Sequence, residues 1–381
     1  MLFLLLRFDE ESIALPICHS ASRLPLSVGR CFVLATVFID TQWAGLAPAG
    51  LSSYYNHCVS KARILVTGGA GYIGAHTARM LLRRGYDVTV VDDLSRGYRH
   101  NVEAREFHRL RVQQTGEIAE ALAGHDAVIH FAAYISVGES MRAPEVYFEN
   151  NVGGSLSLAA AMVQTGVKRL VFSSTAAVYG IPESSPIPES AAIAPVNPYG
   201  ESKVMVETML RWFDAIHGLR SVCLRYFNAC GADPAGGLGE EHDPETHLIP
   251  LMLQAVRSGE PFTVFGDDYD TPDGTCIRDY IHVNDLAEAH VLAVEALLAG
   301  GASDQFNVGT GAGHSVLDMI RSVEDVAGRK APYVVGTRRE GDPPALVANA
   351  DKLRRVLGWT PRFEDVREIV ASAWAFEQQR G

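Results

Sequence analysis

Tyr199 and Lys203 stand four residues apart in Asn197-Pro198-Tyr199-Gly200-Glu201-Ser202-Lys203. On a helix that step climbs about 6 Å and returns to nearly the same face, so an ammonium would lie beside a phenol. A free phenol has a pKa near 10, and use as a base near neutrality asks for a shift of about 3 units, worth about 4 kcal/mol. A cation about 4 Å away at an effective dielectric near 20 supplies about that much. The chemistry suggested is reversible removal of a proton from a hydroxyl. With 13 tyrosines in 381 residues such a pair also arises by chance, so the elements that must hold it decide.

Arg63-Ile64-Leu65-Val66-Thr67 is a short β-branched run that reads as a buried strand and leads into Gly68-Gly69-Ala70-Gly71-Tyr72-Ile73-Gly74. Glycines at Gly68, Gly71 and Gly74 allow a sharp turn and the close approach of a pyrophosphate to a helix N-terminus, with Tyr72 and Ile73 in the first turn. An amphipathic helix is expected over 72–84 and a second strand over 87–91, ending on Asp92. A carboxylate at that point suits a ribose diol and repels a 2′-phosphate, which predicts NAD rather than NADP.

Further along, strands are expected at 127–131 and 168–174 with a helix inside 145–165. This alternation predicts an α/β fold, a Rossmann-type doubly wound parallel sheet with a smaller C-terminal substrate-binding lobe. Ligands collect at the carboxyl ends of such strands, where Thr175 could hydrogen-bond a substrate oxygen. His130 reads as a packed strand residue. Beyond Arg225 the alternation yields to segments rich in glycine, proline and acid, 231–247 and 266–278, read as loops that enclose a substrate. Arg278 and the pair Arg338-Arg339 are candidates for a diphosphate, because guanidinium forks match phosphate oxygens.

The first 58 residues stand apart, with apolar bursts at 2–6 and 32–39 that show no clear helical or strand period. Each burst is far shorter than the 18 or so residues that span a bilayer. Without a basic n-region, and with Asp9-Glu10-Glu11 following, the start does not read as a secretory signal. The extension is expected to be dispensable, with a natural start near Val59. Residues 59–376 then form the working domain: a cofactor-binding part over 61–225, a substrate lobe largely over 226–376 with the chain returning to the sheet, and a tail over 377–381. The net charge of −12 argues against a nucleic-acid or anionic-membrane surface. Cys18, Cys31, Cys58, Cys223, Cys230 and Cys276 form neither a CxxC pair nor a metal-binding spacing, which points to a reducing cytoplasm.

From about residue 60 to 376 the ordered motifs resemble those of the extended short-chain dehydrogenase/reductase family, and within it the UDP-glucose 4-epimerases. They are TGGAGYIG from Thr67, HFAA from His130, VGES from Val137, NNVGGS from Asn150, SSTAAVYG from Ser173 and NPYGESK from Asn197. LRYFNACGADP from Leu224, DGTCIRDYIHVNDLA from Asp273 and RREGDPPA from Arg338 complete the series. The resemblance implies that Tyr199 as phenolate takes the proton of the sugar 4-hydroxyl while tightly bound NAD accepts hydride from carbon 4. Lys203 and the nicotinamide cation would lower the tyrosine pKa, and Thr175 would orient the oxygen. The 4-keto sugar then turns over, hydride returns to its opposite face, and no metal is needed. By motif position Asn228 would contact the nucleotide-sugar, Arg278 and Arg339 its diphosphate, and Asp342 the uridine ribose. Asn150 and Tyr226 would lie near the nicotinamide, with Phe131 and Val112 also on the cofactor. A homodimer is implied as well.

Three positions depart from the pattern. Arg111-Val112 stands where many relatives have an acid-hydrophobic pair, Ile135 where some have a lysine, and Leu346 where some have a bulky aromatic. Leu346 opens the alternative of UDP-N-acetylglucosamine or a UDP-pentose as substrate. A nucleotide-sugar 4,6-dehydratase would want acids after Thr175, where Ala176-Ala177 stand. A non-catalytic NAD sensor would need no trio of Tyr199, Lys203 and Thr175.

Overall fold

The computed structural model describes residues 2–8, 11–17, 61–339 and 342–380. The chain divides into two compact units, 1–58 and 59–381. In the first, Leu2–Phe8 and Glu11–Ile17 pair as antiparallel strands, with Leu2 opposite Ile17 and Phe8 opposite Glu11. The burst at 2–6 shows no strand period in the sequence, since antiparallel pairing fixes a register that it does not carry alone, and the burst at 32–39 lies outside the described residues. The other expectations for the extension, including those on Cys18, Cys31, Cys58 and the start near Val59, fall outside the described residues.

In the second unit the strands are β1 Arg63–Thr67, β2 Asp87–Val91, β3 Glu106–His108, β4 Ala127–His130, β5 Arg169–Thr175 and β6 Arg220–Tyr226. After them come β7 Asn228–Cys230, β8 Phe262–Phe265, β9 Ile277–His282, β10 Asp304–Val308, β11 Gly313–Ser315, β12 Tyr333–Gly336 and β13 Ala345–Leu346. Seven form one parallel sheet in the order β10-β6-β5-β4-β1-β2-β3. The longer helices are α1 Tyr72–Arg83, α2 Thr115–Leu122, α3 Gly154–Thr165, α4 Pro198–His217, α5 Leu248–Ser258, α6 Val283–Leu298, α7 Val316–Ala327 and α8 Val366–Gln379.

Burial on both faces explains why the strands are apolar without alternation. Ile64, Val66, Val88 and Val90 pack with Ala78, Leu81, Leu286 and Val294 from α1 and α6. Leu65, Val128 and Phe172 meet Ile118, Leu158, Met162, Val206 and Leu210 from α2, α3 and α4 on the other face. Each such side chain removed from water contributes about 1.5–3 kcal/mol. A separate core joins α5, α7 and α8 through Met252, Met319, Val323 and Ile369. Small sheets built on β9 with β7, β11 and β13, and on β8 with β12, belong to this lobe, while β10 returns to the large sheet.

Strand register sets the site. Thr67 is level with Val91 and His130, and Thr175 is level with Tyr226, which is itself level with Val308. Gly68, Asp92, Phe131 and Thr175 therefore lie along one edge of the sheet, at the carboxyl ends where α/β folds take ligands.

Candidate active site

Helix α4 starts sharply because the Asn197 side chain accepts the Gly200 N–H at 2.8 Å and Pro198 occupies the first turn. Tyr199 thus lies in the first turn, Lys203 one turn later and Glu207 one turn beyond that. A Cβ on Gly200 would come within 2.7 Å of the Ala177 carbonyl, so glycine alone lets the helix press against the turn that follows β5. That contact sets the Tyr199 phenol near the Thr175 hydroxyl, which favours the phenolate. Both side chains belong to buried residues. Thr175 Oγ1 also accepts the Ala177 N–H at 3.2 Å. Tyr226 lies close by, its hydroxyl bonded to Ser173, and burial followed by the nearness of Tyr199 pushes its pKa up.

Lys203 is 2 % exposed, an unusual state for a lysine. Its Nζ donates to the Ser173 carbonyl at 2.8 Å and stands 4.9 Å from the Phe172 ring centre and 5.9 Å from that of Tyr199. Burial lowers its pKa to about 7, against the pull of Glu207. Burial also pushes Tyr199 up to about 12, with the nearby Thr175 hydroxyl opposing in part. In the chain alone, without the nicotinamide cation that the expectation also invokes, this lysine does not bring the phenol near neutrality. The four-residue step does place the two on one face, but desolvation acts on both, and the ammonium turns to the Ser173 carbonyl. A full charge 5.9 Å away at a dielectric near 20 is worth about 2.8 kcal/mol rather than about 4. Lys203, about half charged at neutrality, is already neutral at the pH where Tyr199 titrates and so does not shift that value, although while charged it favours the phenolate.

At the other end of the edge, Gly68 adopts φ +71°, and a Cβ there would lie 2.6 Å from the Ala132 nitrogen. A Cβ on Gly74 would meet the Gly68 carbonyl at 2.2 Å, so the turn and α1 can touch only through glycines. No side chain caps α1 at Gly71, which leaves the first-turn N–H groups of Tyr72 and Ile73 without a capping acceptor. An uncapped N-terminus beside a glycine turn is what a pyrophosphate requires, so these residues fit a dinucleotide. Asp92 accepts the Ala70 N–H at 3.0 Å and the Leu94 N–H at 2.8 Å, and burial raises its pKa. Val112 is buried, Phe131 is half-buried with its ring 4.6 Å from that of His290, and Asn150 lies in a π-helical stretch, Phe148–Gly153, where it accepts from Gln113 at 3.2 Å. Arg111 is exposed, 3.7 Å from Asp93.

Of the residues expected to hold the nucleotide-sugar, Arg278 and Asp342 are ion-paired, and Arg278 also donates to the Ile277 and Pro343 carbonyls at 2.7 and 3.0 Å. Arg339 is exposed and lies 4.0 Å over the Phe265 ring, while Arg338 lies over Tyr269 and bonds Asp268. Asn228 is exposed on β7 and pairs with Tyr280 of β9. Leu346, half-buried on β13, packs against a cluster of Ala176, Val178, Tyr179, Ile187, Phe227 and Ala348, which includes residues that follow Thr175.

Two supports escape sequence reasoning. Glu207 accepts a 3.0 Å bond from Nε and a 2.6 Å bond from Nη2 of Arg225, as well as the Ser174 hydroxyl at 2.6 Å, tying α4 to β5 and β6. Asn151 donates to Ser202 Oγ at 3.1 Å and exchanges bonds with the Tyr134 backbone at 2.8 and 3.0 Å. The three-turn series Tyr199, Lys203, Glu207 was the available signal for the first. His130 behaves as expected of a packed residue: it bonds Thr67 at 2.6 Å and Ser155 at 2.8 Å, and burial holds it neutral, with a pKa of about 3.

A family model described as the NAD dependent epimerase/dehydratase family matches residues 64–309. The chain is 50 % identical over 316 residues to the UDP-glucose 4-epimerase of Rhizobium leguminosarum bv. trifolii, a match that covers 82 % of this chain and 96 % of that one. Its structure is similar to that of the Brucella ovis UDP-glucose 4-epimerase in complex with NAD, at 46 % identity and a TM-score of 0.80, covering 82 % of this chain and 98 % of the other. It is also similar to the UDP-Glc/GlcNAc 4-epimerase of Campylobacter jejuni, at 38 % identity and a TM-score of 0.73, covering 84 % and 99 %.

Proposed function

Because the chain belongs to the NAD dependent epimerase/dehydratase family, we infer that it is a UDP-glucose 4-epimerase that works with NAD, interconverting UDP-glucose and UDP-galactose. The observation that carries this reading is the joint burial of Tyr199, Thr175 and Lys203, the first and last one helical turn apart, on the edge that also holds the uncapped start of α1. NAD, when bound, supplies the reversible two-electron oxidation of sugar carbon 4. The chain's own residues do the rest.

In this proposal the N–H groups at the start of α1 hold the pyrophosphate and the Asp92 carboxylate holds the adenosine ribose. Val112, Phe131, Asn150 and Tyr226 line the cofactor. Tyr199 Oη takes the proton of the 4-hydroxyl and later returns it to the re-formed alkoxide. Thr175 aligns that oxygen, and Lys203 favours the phenolate while charged. Asn228, Arg278, Arg339 and Asp342 hold the uridine diphosphate while the 4-keto sugar turns over. Tyr199→Phe removes one oxygen and should abolish epimerisation of UDP-galactose while the purified protein keeps its NAD. Turnover within tenfold of wild type would place the base elsewhere.

The breadth of sugar use is a finer question, and Leu346 beside the Thr175 turn favours acceptance of an N-acetylated sugar as a second substrate. Self-association is favoured by an apolar stripe on α4, where Met205, Trp212 and Ile216 are 42, 65 and 68 % exposed, with Leu156 of α3 also open. Positions 205, 212 and 216 share one helical face. A homodimer joined there would become monomeric in Trp212→Glu by sedimentation velocity, and an unchanged dimer would exclude this face. Among the described residues no helix is long and apolar enough to cross a membrane, and the thiols of Cys223, Cys230 and Cys276 are free, as suits a reducing cytoplasm. Thiol titration of protein from its native source checks this, and oxidised thiols would count against it.

A further inference from the structure

The loop between β7 and α5 gathers Glu240, His242, Glu245 and His247, each offering one ligand atom, with all four atoms within 4.8 Å of one another. Nδ1 of His242 is 3.5 Å from carboxylate oxygens of both Glu240 and Glu245, and Nδ1 of His247 is 3.0 and 3.1 Å from the same two side chains. A four-coordinate zinc with ligand bonds near 2.0–2.1 Å has ligand-to-ligand edges of about 3.3 Å. The histidine-to-carboxylate spacings of 3.0–3.5 Å lie around that value, with Glu245 facing His242 through Oε2 and His247 through Oε1, and a bound ion would draw in the wider edges of up to 4.8 Å.

Hydrogen-bond accounting points the same way. Glu245 Oε1 receives the backbone N–H groups of Thr246 and His247 at 2.7 and 2.8 Å. The Glu240 side chain is only 7 % exposed, yet among the described residues it accepts no well-formed hydrogen bond. His242 Nδ1 is shut off from solvent and has no hydrogen-bond partner, although it faces both carboxylates. The His247 Nδ1–H lies 3.0 Å from Glu240 and 3.1 Å from Glu245 and can point at only one of them. A single divalent cation would satisfy all four atoms, and two carboxylates with two neutral imidazoles supply the matching charge. His247, with its side chain 42 % exposed, gives the ion a way in.

We propose that Glu240, His242, Glu245 and His247 form a divalent transition-metal site, of zinc-like four-coordinate geometry, that fixes the 231–247 loop. The loop is anchored beside α1: the Tyr72 hydroxyl donates to the Gly231 carbonyl at 2.6 Å, and the His242 ring lies 6.5 Å from the Tyr72 ring. The site asks nothing of the sugar chemistry, so it stands or falls apart from it.

The test uses the full, tag-free, NAD-loaded chain stripped with a chelator and titrated with zinc chloride, the bound metal being counted by elemental analysis after equilibrium dialysis. One ion per chain is expected, with a rise in thermal midpoint. Glu240→Gln and His242→Gln should each weaken binding more than roughly tenfold, while His217→Gln, at the exposed end of α4, should not. Substoichiometric binding at micromolar zinc, or equal affinity in both site variants, would overturn the proposal. If the variants misfold, cobalt(II) in the wild type decides. A four-coordinate nitrogen and oxygen spectrum supports the site, and a thiolate-to-cobalt charge-transfer band sinks it.

Discussion

Replacing Lys203 by methionine tests how the phenol becomes a base, and the structure sets the size of the effect. Tyr199 is pushed up to about 12 by burial, and Lys203 is lowered to about 7 by the same cause. A charged Lys203, 5.9 Å from the Tyr199 ring centre, favours the phenolate by about 2.8 kcal/mol, or about 2 pKa units. At pH 6 the lysine is mostly charged, and the wild type should hold about a hundredfold more phenolate than the variant. Above pH 7 the wild-type site has usually lost one proton, and the ionised pair carries the same number of protons as the neutral pair. Its population then stops rising with pH, whereas the phenolate of Lys203→Met keeps rising tenfold per unit. The ratio of kcat values should therefore fall from about 100 at pH 6 to about 10 at pH 8 and approach unity near pH 9. Any charge from bound NAD is common to both proteins and cancels to first order. The assay is kcat and KM for UDP-galactose across pH 5.5–9.5, with KM expected to move little. A ratio that is flat over this range, or near unity at pH 6, would refute the electrostatic role assigned to Lys203.

Leu346→Tyr places a ring beside Ala176 and Val178, next to the turn that carries Thr175. It should lower kcat/KM for UDP-N-acetylglucosamine at least about tenfold relative to UDP-glucose, about 1.4 kcal/mol of discrimination. An unchanged ratio of the two substrates would show that Leu346 does not gate the pocket. Acid should destabilise the fold, because burial lowers His76 and His290 to about 4 and His130 and His282 to about 3, against 6.5 when unfolded. The unfolded chain binds more protons below pH 6.5, so stability falls with pH from there toward the folded values, by about 2 kcal/mol per histidine at pH 5. In the metal-free chain His247, raised to about 9, works in the opposite sense and offsets part of this. Urea midpoints at pH 7.5 and 5.0 report the sum, and an equal midpoint at both would show that these rings are not held neutral.

Much of the large sheet is legible in the sequence because its strands are buried on both faces and must be continuously apolar, as Ile64-Leu65-Val66 is. The structure has the expected strands at 63–67 and 87–91 and, within a residue, those at 127–130 and 169–175. The substrate lobe is less legible. Its short strands β7, β9, β11 and β13 pair across long stretches of sequence, and such pairings leave no local period to read. Glu240 and His247 look like any polar loop residues until the fold closes the loop around them.

The sequence by itself determined which groups could do chemistry: the Tyr199 and Lys203 spacing, the glycine turn, Asp92, and Thr175 at a strand end. Spacing along one helix and position at a strand terminus are local properties that the chain carries without help. The tertiary structure alone decided the proton affinities, because desolvation depends on everything packed around a side chain. It raised Tyr199, lowered Lys203 and turned the lysine toward Ser173, so the pair read as a finished base is a site whose phenol in the chain alone holds its proton well above neutrality.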